Sequence, residues 1–331
     1  MSTPEATSQS AAQLLARFRG WVAWAVAGAA LLYVAGSLWV GFREVGTALS
    51  HFRWVLFIPV ILLTLVNYGL RFWKWAYLLR RLGVVIDWKD NLTAFVAGLA
   101  MVLSPGKAGE VLKPYLVRAR TGAPMAQTVP ALVTERLTDG LAVLGLAAIS
   151  VGRYGGDQQV YVWGPIALVL VGLAVLASRT LSMGILGWLG RIPLLARFTP
   201  KLVEMYLSMR TCLSPVALGW TMLASFVAWF AECVGYWLVF EGFALAETPS
   251  LEGSTFLYAF ATVAGGAMPG GLGMADGALV GGAMKLFAVP QAEAVAAALL
   301  IRVATLWLGV ILGAVALLRV GTLLERSGDG A

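Results

Sequence analysis

Two polar breaks in an otherwise apolar sequence carry the residue types best suited to chemistry. The first break spans residues 104–110, and the second spans residues 268–276. In each break a glycine follows a proline by four residues, and a carboxylate comes soon afterwards. An apolar segment with an arginine follows each break: Arg136 lies 31 residues after Pro105 (136 − 105), and Arg302 lies 33 residues after Pro269 (302 − 269). The order of break, carboxylate and arginine therefore occurs twice.

The repeated arginines predict a site for an anion. A guanidinium group binds phosphate through two parallel hydrogen bonds, and a helix that begins after a glycine-rich break offers free N–H groups. We therefore expect Arg136 and Arg302 to bind a substrate phosphate, with an ion pair inside a helix bundle as the alternative. The other candidates for this site are charged residues in or beside apolar segments: Arg71, Lys74, Lys107, Glu110, Glu135, Asp139 and Asp276.

Helical spacing groups several of these candidates. Glu135 and Asp139 are four residues apart and share a helix face, which allows them to hold Arg136 or to bridge to the first break. Arg71 and Lys74 lie three residues apart in an earlier segment, where the alternative to a site role is that they reach the membrane surface. Glu232, a carboxylate in a later apolar segment, is a candidate for proton coupling or for pairing with these cations.

The two breaks predict re-entrant hairpins rather than complete membrane spans. The apolar run before the first break, 91–103, would extend about 20 Å as a helix, less than the roughly 30 Å of a hydrocarbon core. A continuous span kinked by proline is the alternative. The residues that we expect to form the hinges of these hairpins are Pro105, Gly106, Gly109, Pro269, Gly270, Gly271 and Gly273.

The overall composition is typical of a helical membrane protein. Hydrophobic residues make up 60% of the chain and charged residues 12%, with a mean hydropathy of +0.82. A soluble domain does not carry so much apolar surface. The net charge of +7 is attributed to basic residues on the cytoplasmic side of the membrane and not to nucleic-acid binding.

We predict an all-α, polytopic membrane protein with about six full spans and two re-entrant hairpins in an inverted repeat. Most basic residues between spans fall on one side, with Lys113 counted among them, so both termini are expected in the cytoplasm. One integral domain is expected over 21–320, between a polar tail at 1–20 and a short tail at 321–331. Within it we expect one half at about 54–151, a second half at about 216–319 and an interfacial amphipathic segment at 179–215.

Several signatures of other functions are absent from the sequence. It has no P-loop, no His/Cys metal cluster, no GxSxG elbow and no dinucleotide-binding fingerprint. We therefore expect neither a cofactor nor a metal, and we do not expect ATP-driven pumping by this chain.

The two breaks, together with residues 135–139, resemble the flippase-like, lysylphosphatidylglycerol-synthase transmembrane-region family of bacterial and archaeal membrane proteins. The resemblance covers about residues 20–320. It implies movement of a lipid across the membrane, as in the flippase half of the multidomain members, whose lysyl transfer belongs to a separate soluble domain that is not found in this sequence. It also implies association with hopanoid or isoprenoid lipids or with lipid-linked sugars, and it does not choose among them.

The function expected from these observations is a lipid flippase of the bacterial inner membrane. It would translocate an anionic glycerophospholipid, a polyprenyl phosphate or a hopanoid-type lipid, with lipid-synthesising enzymes as partners. The alternative is an intramembrane enzyme that modifies a lipid, as a headgroup transferase or phosphatase, including an activity of the lysylphosphatidylglycerol-synthase type. No nucleophile–base pair is visible in the sequence, which favours the transporter.

Overall fold

The regular secondary structure of the described residues is all helical, as the sequence predicts. The computed structural model describes residues 42–104, 109–154, 156–189, 191–192, 199–266 and 268–325, and no strand occurs in these ranges. The predicted N-terminal tail, the first span up to residue 41 and the break residues Pro105, Gly106 and Lys107 lie outside them. The helices are α1 (Phe42–Ser50), α2 (Phe57–Arg81), α3 (Trp88–Ala100), α4 (Leu112–Thr121), α5 (Met125–Tyr154), α6 (Val160–Ala177), α7 (Arg179–Leu189), α8 (Thr199–Cys212), α9 (Pro215–Glu241), α10 (Leu251–Ala264), α11 (Met274–Phe287), α12 (Gln291–Arg302) and α13 (Leu308–Glu325).

Three helical stretches are long and apolar enough to cross a membrane. They are Trp54–Arg81, Pro215–Glu241 and Gln291–Leu318. A fourth crossing results if Val162–Leu176 and Arg179–Leu189, which are bent by 85° relative to each other, form one span. The protein is thus a multi-pass membrane protein. The number of six spans stays a prediction, partly because the first of them falls before the described residues.

Both predicted breaks interrupt a helix in the structure. α3 gives way to a 3₁₀ turn at Met101–Leu103 and to extended backbone at Ser104, and α4 follows. α10 gives way to a 3₁₀ turn at Pro269–Gly271, and α11 begins after Gly273. We call α3, its break and α4 the first unit, and α10, its break and α11 the second unit. α3 has 13 residues and α10 has 14, so neither helix alone spans a bilayer.

Glycine is required at the second break by backbone conformation. Gly270, Gly271 and Gly273 have φ angles of +59°, +71° and +81°, a region that residues with a Cβ rarely adopt. At the first break the requirement is one of space. A Cβ at Gly109 would lie 2.9 Å from the Ser104 hydroxyl oxygen, which accepts a hydrogen bond from the Gly109 N–H.

The two halves of the protein pack against each other reciprocally. The first helix of the first unit, α3, packs on α13 at the end of the second half. In the same way, the first helix of the second unit, α10, packs on α5 at the end of the first half. The helices that precede the units, α2 and α9, pack on each other. Exchanging the halves converts each of these contacts into its equivalent, as expected of an internal repeat.

Close approach of α3 and α13 depends on a glycine, which makes this reciprocal packing testable. A Cβ at Gly313 would lie 2.4 Å from the Ala100 backbone nitrogen and 2.9 Å from the Val96 carbonyl oxygen. We expect Gly313→Ala to destabilise the protein by about 1–3 kcal/mol through overpacking, seen as a lower midpoint of thermal unfolding in detergent.

The matched control for this substitution is Gly219→Ala in α9, where a Cβ would meet nothing within 4 Å. Replacement of a helical glycine by alanine in open space is neutral or stabilising by about 0.5–1 kcal/mol. Equal unfolding midpoints for the two variants would contradict the close packing of α3 on α13.

Candidate functional site

Two carboxylates on one face of α5 are at the centre of the candidate site. Glu135 and Asp139 are buried and lie four residues apart, so both point toward the same neighbouring helices. Lys113 of α4 donates to a carboxylate oxygen of Glu135, with 2.6 Å between the nitrogen and the oxygen. Lys74 of α2 forms a close ion pair with Asp139. The carboxylates therefore tie α2 and α4 to α5.

Lys74 is held by several oxygens in addition to Asp139. Its ammonium group donates to the Ser225 hydroxyl at 2.6 Å and to the Thr138 hydroxyl at 3.2 Å. Ser225 of α9 in turn donates to Asp139 at 2.9 Å. Lys74 is thus a fully buried cation within a network that joins α2, α5 and α9.

Arg71 and Arg136 complete the same group of charges. Arg71 lies 3.8 Å from Glu135 and 3.6 Å from Asp139, measured between guanidinium nitrogen and carboxylate oxygen. Arg136 forms a close ion pair with Glu135 and lies 3.3 Å from Asp139. With Glu110, these residues form what we call the charge cluster, with four cations and three carboxylates: Arg71, Lys74, Lys113, Arg136, Glu110, Glu135 and Asp139.

Each arginine of the repeated pattern pairs with the carboxylate of its own half. Arg136 Nε lies 3.2 Å from Glu110 Oε2, and Arg302 Nε lies 2.8 Å from Asp276 Oδ1. The two partners are separated by 26 residues in both cases (136 − 110 and 302 − 276). This equal spacing is the more regular signal in the sequence, because the distances from proline to arginine differ by two residues.

The surroundings of Arg302 connect the second break to a distortion in the following helix. Its Nη2 atom donates to the Gly270 carbonyl at 2.5 Å. A π-helical turn, Val303–Trp307, follows directly between α12 and α13. The Tyr68 hydroxyl of α2 donates to the carbonyl oxygen of Thr305 within this turn at 2.5 Å. Such turns are rare and frequent at functional sites.

A cavity of about 130 Å³ lies between the two units and is bordered by these charges. Gly98 of α3 lines it from the first unit, and Gly270 and Gly271 line it from the second. The two breaks also approach each other, since a Cβ on Gly270 would lie 2.8 Å from a methyl group of Leu103. Four cations and two carboxylates line the cavity: Arg71, Lys113, Arg136, Arg302, Glu110 and Glu232.

Glu232 differs from the other carboxylates in its partners. It is buried on α9 and accepts a hydrogen bond of 2.7 Å from the Tyr258 hydroxyl of α10. It takes part in none of the ion pairs found among the described residues. A change in its charge would therefore break none of these salt bridges.

The structure brings together most of the residues that the sequence singles out. Arg136, Arg302, Arg71, Glu110 and Glu232 all border the cavity. Glu135, Asp139, Lys74 and Asp276 lie behind them as ion-pair partners. Lys107 is outside the described residues.

Lys113, which the sequence places with the basic residues of a cytoplasmic segment, is buried in the structure. The side chain is 3% exposed, lies 4.8 Å from the Trp75 ring centre and 5.2 Å from that of Phe95, and lines the cavity. The sequence places Lys113 with those basic residues because the segment that resumes after the first break is short and soon reaches Arg118 and Arg120. Its spacing of three residues from Glu110 is the local signal for a position near the same site.

The comparisons with known proteins agree with this architecture. The model of the family described as "Lysylphosphatidylglycerol synthase TM region" matches residues 20–313. The chain belongs to this family. Among its relatives is a "UPF0104 membrane protein" of Methanothermobacter thermautotrophicus, 25% identical over 307 residues that cover 86% of this chain and 89% of that protein. The match to the family spans both units and the whole charge cluster, and it associates the protein with lipid metabolism or transport.

Removal of a carboxylate tests how much the charge cluster contributes to the stability of the protein. Asp139 contacts Lys74, Arg71, Arg136 and Ser225, so Asp139→Asn leaves the buried Lys74 without an ion pair among the described residues and removes one from each arginine. We expect a loss of about 3–5 kcal/mol in the free energy of unfolding, measured by thermal or denaturant unfolding in detergent.

The control is Glu252→Gln, which removes the same charge from an exposed pair with Arg153. Exposed pairs contribute about 0–1 kcal/mol, so this variant should unfold close to the wild type. If Asp139→Asn proved as stable as Glu252→Gln, the charge cluster would have no structural role.

Proposed function

We propose that this protein is a lipid flippase that moves an anionic, phosphate-bearing lipid or isoprenoid-linked lipid across the inner membrane. The observation that carries the proposal is the cavity between the two units, which is lined both by Arg136 from the first half and by Arg302 from the second. Cations inside a membrane protein are costly, so their placement beside a cavity calls for an anionic partner.

The two arginines suit a phosphate better than the lysines of the charge cluster do. The side chains of Arg136 and Arg302 are 25% and 12% exposed, whereas Lys74 and Lys113 are buried against carboxylates. A guanidinium offers a planar pair of donors that match two phosphate oxygens. Arg136 and Arg302 are therefore the proposed phosphate ligands, with Arg71 as a further cation at the cavity wall.

The size of the cavity suits a headgroup and not a whole lipid. A cavity needs about 10–15 Å³ of volume to hold one water molecule, so a cavity of about 130 Å³ holds a phosphate group with a few waters. The acyl or isoprenoid chains would stay in the bilayer, beside outward apolar side chains such as Leu62 of α2 and Leu223 of α9. This division of polar and apolar parts is what a flippase requires.

The proposed topology follows from the repeat. Six full spans with both termini in the cytoplasm place the first unit as a re-entrant hairpin from the cytoplasmic side and the second from the opposite side. Alternating access would arise by movement of one half against the other around the shared cavity. Enzymes that make the transported lipid are the proposed partners.

The role of Arg302 is tested by transport in proteoliposomes. With fluorescently labelled phosphatidylglycerol as the probe, we expect Arg302→Gln to lower the rate of transbilayer movement about tenfold to a hundredfold. This is the effect of losing a hydrogen bond to a charged group, about 1.5–3 kcal/mol. Movement is followed by quenching of the outer-leaflet label.

The control is Arg153→Gln, which removes an arginine from the exposed pair with Glu252. Normal transport by Arg302→Gln would rule out a role for this arginine in phosphate binding. Formation of a new lipid product from the probe, without movement, would favour the lipid-modifying enzyme instead.

Glu232 is the proposed site of proton coupling, because it lines the cavity without an ion-pair partner among the described residues. If a pH gradient accelerates transport by the wild type, Glu232→Gln should remove that acceleration, since glutamine cannot exchange a proton. The measurement compares rates in vesicles with and without a pH difference.

The control is Glu293→Gln in α12, outside the cavity lining, which should respond to the pH gradient like the wild type. A Glu232→Gln variant that still responds to the gradient would exclude this role.

A further inference from the structure

Glu110 and Asp276 make contacts of an unusual kind with their arginines. The distances of 3.2 Å and 2.8 Å are those of ion pairs. However, neither contact has the geometry of a hydrogen bond. The four atoms that face each other also make no hydrogen bond to any other described residue: Glu110 Oε2, Arg136 Nε, Asp276 Oδ1 and Arg302 Nε. The two pairs are therefore held mainly by charge, without the directed bonds that fix a salt bridge in place.

The other carboxylates of the charge cluster are held differently. Glu135 is paired with Lys113, Arg136 and Arg71, and Asp139 is paired with Lys74, Arg71 and Arg136. By contrast, Glu110 and Asp276 each form one ion pair in the part of the chain that is described. Loss of one such contact would leave Glu110 or Asp276 without an ion pair, whereas Glu135 and Asp139 would each keep two.

Asp276 occupies the donors that an anion would use at the second break. One of its oxygens lies beside Arg302 Nε, and the other accepts a hydrogen bond of 2.8 Å from the Gly273 N–H at the start of α11. A guanidinium and the first N–H of a helix are together a common binding arrangement for phosphate. The carboxylate of Asp276 therefore stands where a phosphate oxygen would bind.

We propose that Glu110 and Asp276 are exchangeable counter-ions, which neutralise Arg136 and Arg302 when no headgroup is bound and give way to the anionic group of a lipid. This inference rests on the proposed function. A phosphate that forms two hydrogen bonds to an arginine replaces a contact that has none, and the guanidinium has a counter-charge both before and after the exchange.

The exchange also connects binding to the shape of the breaks. Asp276 caps the start of α11, and Glu110 lies just before α4, so each carboxylate is attached to the helix that begins after its break. Release of the carboxylate from its arginine removes one link between that helix and the helix that carries the arginine. Anion binding in the cavity thereby acts on both units, one through each arginine.

The test is binding of a short-chain lipid to the purified full-length protein in detergent. The probe is dihexanoyl phosphatidylglycerol, with zwitterionic dihexanoyl phosphatidylcholine as the comparison, titrated by calorimetry. Because Glu110→Gln and Asp276→Asn remove the competing charge, we expect each to bind the anionic probe about tenfold more tightly than the wild type. Asparagine retains an acceptor for the Gly273 N–H. Glu252→Gln, with the same change of charge in an exposed pair, should alter the dissociation constant by less than about twofold.

The outcomes separate this inference from the function on which it rests. If Glu110→Gln and Asp276→Asn bind the probe as the wild type does, or more weakly, the counter-ions are not exchangeable. In that case loss of binding in Arg302→Gln would still support the proposed function. If the wild type and both variants fail to bind, the anion site itself is wrong. If both variants unfold at much lower temperature than the wild type, the carboxylates are structural and the inference fails.

Discussion

The structure depends on how charged groups are compensated away from water. A carboxylate or ammonium group in a low-dielectric interior costs several kcal/mol unless opposite charges and hydrogen bonds surround it. Glu135 and Asp139 meet this requirement by drawing cations from α2, α4 and their own helix into one network. The positions of those three helices relative to one another follow from this constraint as much as from apolar packing.

Two halves of similar construction share one cavity, and this determines what the site is able to recognise. The halves differ in the charges that they contribute: the first contributes the charge cluster, whereas the second contributes the pair of Arg302 with Asp276 and the carboxylate of Glu232. On the side of the first half, a ligand between the units would meet three cations and one carboxylate: Arg71, Lys113, Arg136 and Glu110. On the side of the second half it would meet Arg302 and Glu232 beside glycine backbone.

The sequence predicts the helical class, the two interrupted segments and most of the charged residues at the cavity, because all of these follow from composition and short-range spacing. It does not predict which cations turn inward. Lys113 lies in a short helix that ends with basic residues, and only the packing of α4 on α3, with Gly98 against its side chain, shows that it is buried. Long-range partners such as Tyr68 with Thr305 and Lys74 with Ser225 depend on packing between the halves, and no local pattern specifies them.

The π-helical turn at Val303–Trp307 sets the rotational phase between Arg302 and α13. A turn of this kind contains one residue more than α-helical geometry, and one residue corresponds to about 100° of rotation around the helix axis. Winding the same residues as a regular α-helix would therefore rotate α12 by about 100° relative to α13. Arg302 would then turn away from the second break if α13 stayed packed on α3. The π-helical turn thus allows both contacts at once, and a variant that made this helix regular without removing a residue would separate them.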